Sequence, residues 1–345
     1  MLGGVVRYIF IKSLRGHKKI KNSGIMSKSM QNEQSKVFLI ILNWNGRKMT
    51  LDCLESLVSS IKYQVLSMEI VVVDNGSTDD SVLKIENFNI ENSLKIKNFK
   101  LKIIKKPKNL GFAEGNNVGI KYALENGADY ICLLNNDTRV DPDFLTELIN
   151  TAESDEKIGI VGGKIYFEKG YEFHKERYKK EDLGKVIWYA GGVIDWKNIY
   201  ASHRGLDEVD EGQFEAVIDT DYVNGCLLLA KREVFEKIGV FNAGYYMYFE
   251  DVDLSLRAKK AGFKLKYCPK SHIWHLIAGS SGIGSGLNDY FTTRNRLLFG
   301  MKYAPFRSKG ALLKESFRML KNGRPWQRAG VRDFYLGRFG KGSWK

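Results

Sequence analysis

Cysteine is scarce in this sequence of 345 residues and never occurs in closely spaced pairs. The four cysteines are Cys53, Cys132, Cys226 and Cys268, and no two of them form a Cys-x-x-Cys pair. Each lies in or beside an apolar run, where a thiol behaves as a small hydrophobic side chain. We therefore predict buried free thiols in a reducing compartment rather than a disulfide scaffold.

Proline and long apolar runs are also scarce. No apolar run approaches the roughly 18 to 20 residues that a membrane-spanning helix needs. The short apolar stretch near the N-terminus lacks a convincing cleavage site, so we expect no secretory signal. With 5 prolines and a hydrophobic fraction of 43%, the composition is that of a globular protein, and its length allows one large domain or two.

Acidic residues are nearly absent from both ends of the chain. Residues 1–36 hold 8 Lys or Arg and 1 acid, residues 294–345 hold 14 and 2, and the middle holds 32 and 37. Basic ends fit an anionic partner, and membrane lipid or nucleic acid would both qualify. Because the middle of the chain, which is predicted to form the binding cleft, carries more acids than cations and no nucleic-acid-binding motif is present, we expect no nucleic acid partner.

Four apolar runs in the first 140 residues each end in a polar cluster. The runs cover residues 37–42, 69–73, 100–105 and 130–134. Such runs predict strands buried on both faces, and the helical segments between them predict βαβ units in a mainly parallel sheet. Ligands bind beyond the carboxyl ends of such strands. The rim of this sheet is predicted to carry Asn43, Asp74, Asn109 and Asp137.

The cluster after the fourth run, Asn135-Asn136-Asp137, offers oxygen ligands for a hard divalent cation, which could carry phosphates. By itself it is equally typical of an ordinary Asn/Asp turn after a strand. The matching clusters after the other three runs favour the ligand site. Residues 78–80 follow the second run, and Thr78 is predicted to cap the next helix.

Four segments, 72–79, 109–117, 133–138 and 248–257, resemble the signatures of family 2 glycosyltransferases, in the right order and spacing. The similarity covers residues 37 to about 300 and is greatest to the rhamnosyltransferase-like branch of surface-polysaccharide assembly. It implies an α/β fold of the GT-A type. The predicted organisation is a basic extension or linker at 1–36, a nucleotide-sugar-binding half at 37–140, an acceptor-binding and catalytic half at 141–304, and a basic amphipathic helical tail at 305–345.

The resemblance implies that the donor is a nucleoside-diphosphate sugar, either dTDP-rhamnose or a UDP-hexose. The carboxylate of Asp74 can accept hydrogen bonds from a base imide or a sugar hydroxyl, although it could instead be a turn residue. Gly111 would let the backbone approach the nucleotide, unless it is an ordinary loop glycine. The full set of implied donor-binding residues is Asn43, Trp44, Asn45, Asp74, Asn75, Asn109, Gly111, Asn116, Asn135 and Asn136.

The resemblance also implies a divalent cation, Mn²⁺ or Mg²⁺. Asp137 matches the last position of the family's Asp-x-Asp motif, whereas the first position is the neutral Asn135. The donor diphosphate and another residue must then complete the coordination. His275 matches a family position that can bind the metal, and a purely structural histidine is the alternative.

On the acceptor side, the implied residues are Trp188, Tyr189, Asn224 and Glu250, and the acceptor is a glycan or a polyprenyl-linked sugar. Core packing explains Trp188 and Tyr189 equally well. Asp251 is implied to be the base of an inverting single displacement. Without the resemblance, it reads as a carboxylate at a helix N-terminus, where the dipole favours it.

The C-terminal part of the sequence adds predictions about a loop, two arginines and the basic tail. A Ser/Gly-rich loop at 279–286 is predicted to close over the diphosphate. Arg294 or Arg296 is predicted to reach phosphate, although both could equally be surface charges. The basic tail predicts docking on an anionic membrane surface, which places the protein in the cytoplasm, at the inner face of the membrane.

The motifs disfavour two other functions. A nicotinamide dehydrogenase is disfavoured because the first strand ends in Asn-Trp-Asn-Gly rather than Gly-x-Gly-x-x-Gly. A protein that binds nucleotide sugars or anionic polymers without catalysis is disfavoured because both Asp137 and Asp251 are present.

Overall fold

The computed structural model describes residues 35–61, 67–96, 99–276 and 285–345. The extension predicted at 1–36 lies almost entirely outside the described residues, and so does most of the predicted loop at 279–286. Within the described part of the chain, no helix is both long enough and apolar enough to cross a bilayer.

Twelve strands and nine helices are described, together with a single 3₁₀ turn at Lys175–Arg177. The strands are β1 Lys36–Asn43, β2 Ser67–Asp74, β3 Leu101–Lys105, β4 Tyr130–Asn135, β5 Thr138–Val140, β6 Ile158–Phe167, β7 Ile187–Tyr189, β8 Gly192–Asp195, β9 Tyr200–His203, β10 Ile218–Asp219, β11 Leu227–Lys231 and β12 Lys264–His275. The helices are α1 Arg47–Ile61, α2 Ser81–Lys95, α3 Gly111–Glu125, α4 Phe144–Glu153, α5 Arg232–Ile238, α6 Glu250–Lys260, α7 Gly286–Tyr303, α8 Phe306–Asn322 and α9 Pro325–Tyr335.

Ten strands form one sheet, whose main path runs β10-β12-β6-β11-β4-β1-β2-β3. β3, β2, β1 and β4 pair in parallel, as the apolar runs predict. Beyond β4 the sheet is mixed, because β11 pairs antiparallel with both β4 and β6, while β12 runs parallel to β6. One continuous sheet therefore joins the two predicted halves, and β8 and β9 form a separate hairpin.

The central strands are buried on both faces, as a strand between two helical layers must be. In β1, Leu39 and Ile41 belong to one core cluster, and Phe38 and Ile40 belong to the other. The first cluster includes residues of α1 and α4, and the second includes residues of α3. All four cysteines are buried free thiols, as predicted.

Two local predictions are wrong. Thr78 does not cap α2, because that helix begins at Ser81 with Asp80 at its N-cap. The amide of Thr78 instead donates to Asn45 Oδ1 at 2.7 Å, which draws this segment onto the turn after β1.

The tail forms two helices rather than one, because α8 ends before Gly323 and Pro325 begins α9. Proline is favoured in the first turn of a helix, where its missing N–H leaves no bond unmade.

Candidate active site

The polar rim that the strand order predicts is present. Asn43 and Asp74 are register partners at the ends of β1 and β2, and Asn43 Nδ2 donates to Asp74 Oδ1 at 2.9 Å. The chain of hydrogen bonds continues from Thr50 Oγ1 to Asn43 Oδ1 at 2.8 Å and from Asn136 Nδ2 to Thr50 Oγ1 at 2.9 Å. These bonds fix the orientation of both amides, so the rim is ordered before any ligand binds.

The turn after β1 presents an exposed aromatic ring at this rim. Asn45 has a φ of 50°, in the left-handed region that asparagine tolerates better than most residues. Its Oδ1 accepts from the amides of Thr78 and Asp79 at 2.7 and 3.3 Å. The neighbouring Trp44 is 55% exposed. Asn45 therefore holds the turn, and the Trp44 ring is free to contact a ligand.

The loop between β3 and α3 is tied to the end of β2. Asn75 Nδ2 donates to Asn109 Oδ1 and to the Gly111 carbonyl at 3.0 and 3.1 Å, and Asn75 Oδ1 accepts from the Leu110 amide at 2.9 Å. Gly111 has a φ of 81°, and a Cβ there would lie 2.5 Å from a ring carbon of Tyr246. Any side chain at position 111 would therefore collide with Tyr246, which belongs to the second half of the chain.

Asn116 is a different case among the implied donor residues. It is buried within α3, and its Nδ2 donates to the Phe112 carbonyl one helical turn earlier at 2.9 Å. Its amide nitrogen therefore serves its own helix rather than the rim.

Asp137 and His275 lie together at the rim. His275 ends β12, which pairs with β5 immediately after Asp137, and His275 Nε2 lies 3.0 Å from Asp137 Oδ1. Adjacent ligands of an octahedral cation with bonds of about 2.1 Å are separated by about 3 Å, so the two atoms fit neighbouring positions of one ion. No cluster of three or more His, Cys, Asp or Glu side chains suited to a metal occurs in the described ranges.

The tautomer of His275 bears on this fit. In the hydrogen bond to Asp137 the proton resides on Nε2, whereas cation binding at Nε2 requires it on Nδ1. Nδ1 is buried and has no hydrogen-bond partner in the described part of the chain. Metal-binding histidines usually donate from this second nitrogen, so Asp137 is the stronger of the two candidate ligands.

Trp188 lies between two histidine rings on the acceptor side. Its ring centroid is 4.7 Å from that of His275 and 4.5 Å from that of His203. His203 Nδ1 lies 3.0 Å from the Trp188 carbonyl, which can only accept, so the proton is on Nδ1 and Nε2 accepts from Asn224 Nδ2 at 3.2 Å. Desolvation lowers the pKa of His203 to about 4, which keeps the ring neutral at physiological pH.

Tyr189 is completely buried, and its hydroxyl donates to the Tyr222 carbonyl at 2.8 Å. The core-packing alternative thus holds for Tyr189. Trp188 is only partly buried and remains accessible to an acceptor.

Residues 224–226, which lead into β11, connect the three parts of the site. Asn224 bonds His203, as described above, and its Oδ1 accepts from the Cys226 amide at 2.8 Å. The Gly225 amide donates to Asp251 Oδ2 at 3.0 Å, and the Cys226 carbonyl accepts from the Asn135 amide at 3.0 Å. The short segment therefore contacts the donor rim, the acceptor-side histidine and the candidate base at once.

Glu250 and Asp251 begin α6 and are both buried. Burial raises the pKa of Asp251, while hydrogen bonds from the Gly225 and Val252 amides oppose the increase. Burial and the neighbouring Asp251 raise the pKa of Glu250 well above its ordinary value, and Glu250 Oε2 has no hydrogen-bond partner among the described residues. Asp251, which accepts two backbone amides, is thus the more readily ionised of the two carboxyl groups.

The segment before Glu250 has a strained backbone. Tyr246, Tyr248 and Phe249 have φ angles of 64°, 69° and 70°, which residues other than glycine rarely adopt. Asn295 Nδ2 lies 2.7–2.9 Å from three carbonyl oxygens of this segment, and Arg294 Nη2 donates to two carbonyls at its start. These contacts from α7 hold the strained segment and so position Asp251.

The prediction that Arg294 or Arg296 reaches phosphate is not supported by their contacts. Arg294 is fully buried, and its guanidinium binds backbone carbonyls. Arg296 pairs with Glu315 and donates to the Asn198 carbonyl.

The buried Asp253 forms an ion pair with Arg257 at 2.7 Å, and Lys302 and Tyr303 also donate to it.

We expect Glu250→Gln to stabilise the fold more at pH 8 than at pH 5. Because the pKa of Glu250 is higher in the folded than in the unfolded protein, unfolding releases a proton, and stability falls as pH rises from the unfolded pKa through the folded one. Glutamine mimics the neutral acid and removes this loss. Thermal unfolding at both pH values measures the effect, with the exposed Glu55→Gln as control. Destabilisation by Glu250→Gln at pH 8 would contradict the assignment.

Solved structures with the same fold include two sugar transferases. GalNAc-T7, solved with UDP, GalNAc and Mn²⁺, aligns with a TM-score of 0.61 at 16% identity over 89% of this chain and 55% of its own. A mannosyltransferase of Pyrobaculum calidifontis, solved with GDP-mannose and Mn²⁺, aligns at 0.52 and 15% identity over 89% of this chain and 75% of its own. These likenesses confirm the predicted GT-A fold.

Sequence relatives include three proteins with named activities. The dTDP-rhamnosyl transferase RfbF of Shigella flexneri is 24% identical over 76% of this chain and 79% of its own. The N-acetylglucosaminyl-diphospho-decaprenol L-rhamnosyltransferase of Mycobacterium tuberculosis is 23% identical over 62% and 68%. A poly-β-1,6-N-acetyl-D-glucosamine synthase of Staphylococcus epidermidis is 25% identical, and the match spans 81% of this chain but 58% of that protein. The match to protein y4gI of Sinorhizobium fredii spans only 24% of that protein.

Residues 38–239, more than half of the chain, match the family model of glycosyl transferase family 2. The match includes three of the four motifs that carried the resemblance and ends before the fourth, at 248–257. With the GT-A fold and the assembled rim, it confirms the prediction made from those motifs: the chain belongs to glycosyl transferase family 2.

Proposed function

We propose that the protein is an inverting, cation-dependent glycosyltransferase that moves a sugar from a nucleoside diphosphate to a glycan or polyprenyl-linked acceptor in cell-surface polysaccharide synthesis. The observation that carries the proposal is the segment 224–226. It bonds Asp251 at Gly225 and the donor rim at Cys226, so a buried carboxylate is held close to the rim.

In the proposed reaction, Asp251 accepts the proton of the acceptor hydroxyl as the acceptor oxygen bonds to C1 of the sugar. The bond from C1 to the diphosphate breaks, and its electron pair leaves with the nucleoside diphosphate. A base works best when its pKa is near the working pH, so the raised pKa of Asp251 favours this role. Burial and the neighbouring Asp251 favour the protonated form of Glu250, which can donate a hydrogen bond to the acceptor without adding a second charge.

Asp137 and His275 are the residues that would hold Mn²⁺ or Mg²⁺. Such a cation supplies stabilisation of the negative charge on the leaving diphosphate. The Mn²⁺ in both solved relatives supports this assignment. Because no third His, Cys, Asp or Glu side chain joins these two in the described ranges, oxygens of the donor would complete the coordination.

The ordered rim is proposed to bind the nucleotide. Asp74 and the amides of Asn43, Asn75 and Asn109 supply hydrogen-bonding groups, and the exposed Trp44 ring supplies a stacking surface. Asn45, Gly111, Asn116, Asn135 and Asn136 shape the surrounding backbone. The Shigella relative favours dTDP-rhamnose as donor, with a UDP-hexose as the alternative.

Trp188 and Asn224, both partly exposed, form the proposed acceptor surface. The named substrate of the Mycobacterium relative supports a polyprenyl-diphosphate-linked acceptor. Such an acceptor is embedded in a membrane, so we place the protein in the cytoplasm, against the inner face of the cell membrane.

Donor binding tests the proposal directly. We expect one donor among dTDP-rhamnose, UDP-glucose, UDP-N-acetylglucosamine and GDP-mannose to raise the melting temperature in the presence of Mn²⁺ and to do so much less after chelation. Donor binding with no release of nucleoside diphosphate on any polyprenyl-linked or glycan acceptor would favour the alternative of binding without catalysis. No stabilisation by any donor under any metal condition would overturn the proposal.

A further inference from the structure

The outward face of α8 carries an apolar stripe beside a basic stripe. Positions 306, 313, 317 and 320 follow the three- and four-residue spacing that places side chains on one side of a helix. Phe306 is 91% exposed, Phe317 61% and Leu320 37%. Single exposed apolar side chains are normal on a protein surface, but a row of them on one side of a helix is not. The row therefore marks a contact surface.

The basic stripe lies one position further round the helix. It consists of Arg307, Lys314, Arg318 and Lys321, all exposed. None of the four forms an ion pair with an acid in the described part of the chain. We call these four residues, together with Phe306, Phe317 and Leu320, the α8 face.

The inward side of α8 is already occupied. Leu312 and Ser316 are buried, and the only acid of the helix, Glu315, pairs with Arg296 of α7 at 2.8 Å. The negative charge of the helix is thereby turned away from the α8 face. The helix is therefore anchored on one side and exposed to solvent on the other.

The aromatic surface extends onto α9. The ring of Phe317 stacks on that of Tyr335 with centroids 5.7 Å apart, and Tyr335 is itself 43% exposed. The next residue, Leu336, is 56% exposed. The apolar surface thus spans two helices.

We propose that the α8 face docks on the surface of an anionic lipid bilayer. Phe306, Phe317 and Leu320 enter the boundary between headgroups and acyl chains, and the four cations contact the lipid phosphates. A bilayer satisfies both stripes at once, because its interface takes aromatic and aliphatic groups and its anionic headgroups attract cations.

Two other occupants fit less well. A second copy of the chain would bring four unpaired cations against the same four, since a two-fold interface places like surfaces together. A nucleic acid would pair with the cations but leave the aliphatic part of the stripe in water. The bilayer is the one partner whose chemistry matches the whole face.

This inference deepens the membrane location in the proposed function by naming the surface that makes the contact. Its test requires no turnover, so a transferase that does not bind vesicles and a vesicle-binding protein that is not a transferase are distinguishable. Point variants are preferable to removing residues 305–345, because α9 packs on α7 through the buried Val331 and Asp333.

The experiment is flotation with phosphatidylcholine vesicles, with and without phosphatidylglycerol. We expect the full chain to bind the anionic vesicles, with binding weakened by salt. Phe306→Ser with Phe317→Ser should weaken binding roughly 10-fold or more, since each loses most of an aromatic side chain from the interface. Arg307→Gln, Lys314→Gln, Arg318→Gln and Lys321→Gln together should abolish the preference for the anionic lipid.

The matched control is Leu83→Ser with Ile90→Ser, which removes two apolar side chains of similar exposure, 57% and 60%, from α2. It should bind as the unmodified chain does. Melting temperatures show whether each variant is folded. Unchanged vesicle binding by the α8-face variants would assign binding to another segment, such as the basic residues 1–36, and overturn the proposal. Binding to duplex RNA or DNA but to no vesicle would do the same.

Discussion

Asp251→Asn is expected to lower kcat by about 10²- to 10⁴-fold, the usual contribution of a positioned general base. The amide cannot accept the proton of the acceptor hydroxyl. Donor binding in the presence of Mn²⁺ should be retained, because the Asp251 side chain bonds the amides of Gly225 and Val252 and not the rim residues. Nucleoside diphosphate release at saturating donor measures kcat, and thermal shift measures donor binding.

The substitution also has a structural consequence that the control must isolate. Both carboxylate oxygens of Asp251 accept backbone N–H groups, from Gly225 at 3.0 Å and from Val252 at 2.8 Å. In asparagine one of these two oxygens is replaced by the Nδ2 group, which cannot accept a hydrogen bond. One of the two backbone bonds is then lost, and some loss of stability is expected. Asp219→Asn, on a 75% exposed side chain, is the control for the loss of one acid. Activity of Asp251→Asn within a few-fold of the unmodified enzyme would place the base elsewhere.

Asp137→Ala is expected to weaken cation-dependent donor binding by more than about 100-fold. Losing a partner of a metal ligand already lowers metal affinity 10- to 100-fold, and Asp137 is the only carboxylate at the proposed metal position among the residues that the structure describes. The variant should lose the stabilisation by donor and Mn²⁺, measured by calorimetry or thermal shift, and should gain nothing from higher donor concentration in the absence of metal.

A second Asp–His pair offers a matched control for this prediction. Asp141 and His272 lie 3.1 Å apart on the same two segments that carry Asp137 and His275, but their contact is not at the rim. Asp141→Ala removes the same kind of contact and should leave donor binding unchanged. If the two variants lose donor binding equally, the effect is structural, and Asp137 is not a metal ligand.

The sequence accounts well for the first half of the site. Each apolar run ends in a polar cluster, and the parallel pairing of β1, β2 and β4 follows from alternating strand and helix patterns. Side chains at the ends of neighbouring parallel strands must then meet, which is why Asn43 and Asp74 could be placed together without a structure. The family match required only that four short motifs occur in order.

The sequence accounts poorly for what surrounds Asp251. No motif identifies His203, because its importance comes from contacts with Trp188 and Asn224, which are 15 and 21 residues away. From the sequence, Arg294 could be a phosphate ligand or a surface charge, whereas the fold buries it against carbonyl groups 49 and 50 residues away in the chain. A long cationic side chain in the basic end of the chain looks the same in sequence whether it is buried or binds a ligand.

Local patterns by themselves determined the βα order, the apolar strands, the polar rim and the family, because each depends on residues close together in the chain. Only the tertiary structure decided that β11 enters the sheet antiparallel between β4 and β6, and that Gly225 thereby donates to Asp251. It also decided that α8 turns its acid inward and its cations outward. These outcomes depend on which distant segments pack together, and the free energy of that packing is shared among contacts that no short stretch of sequence contains.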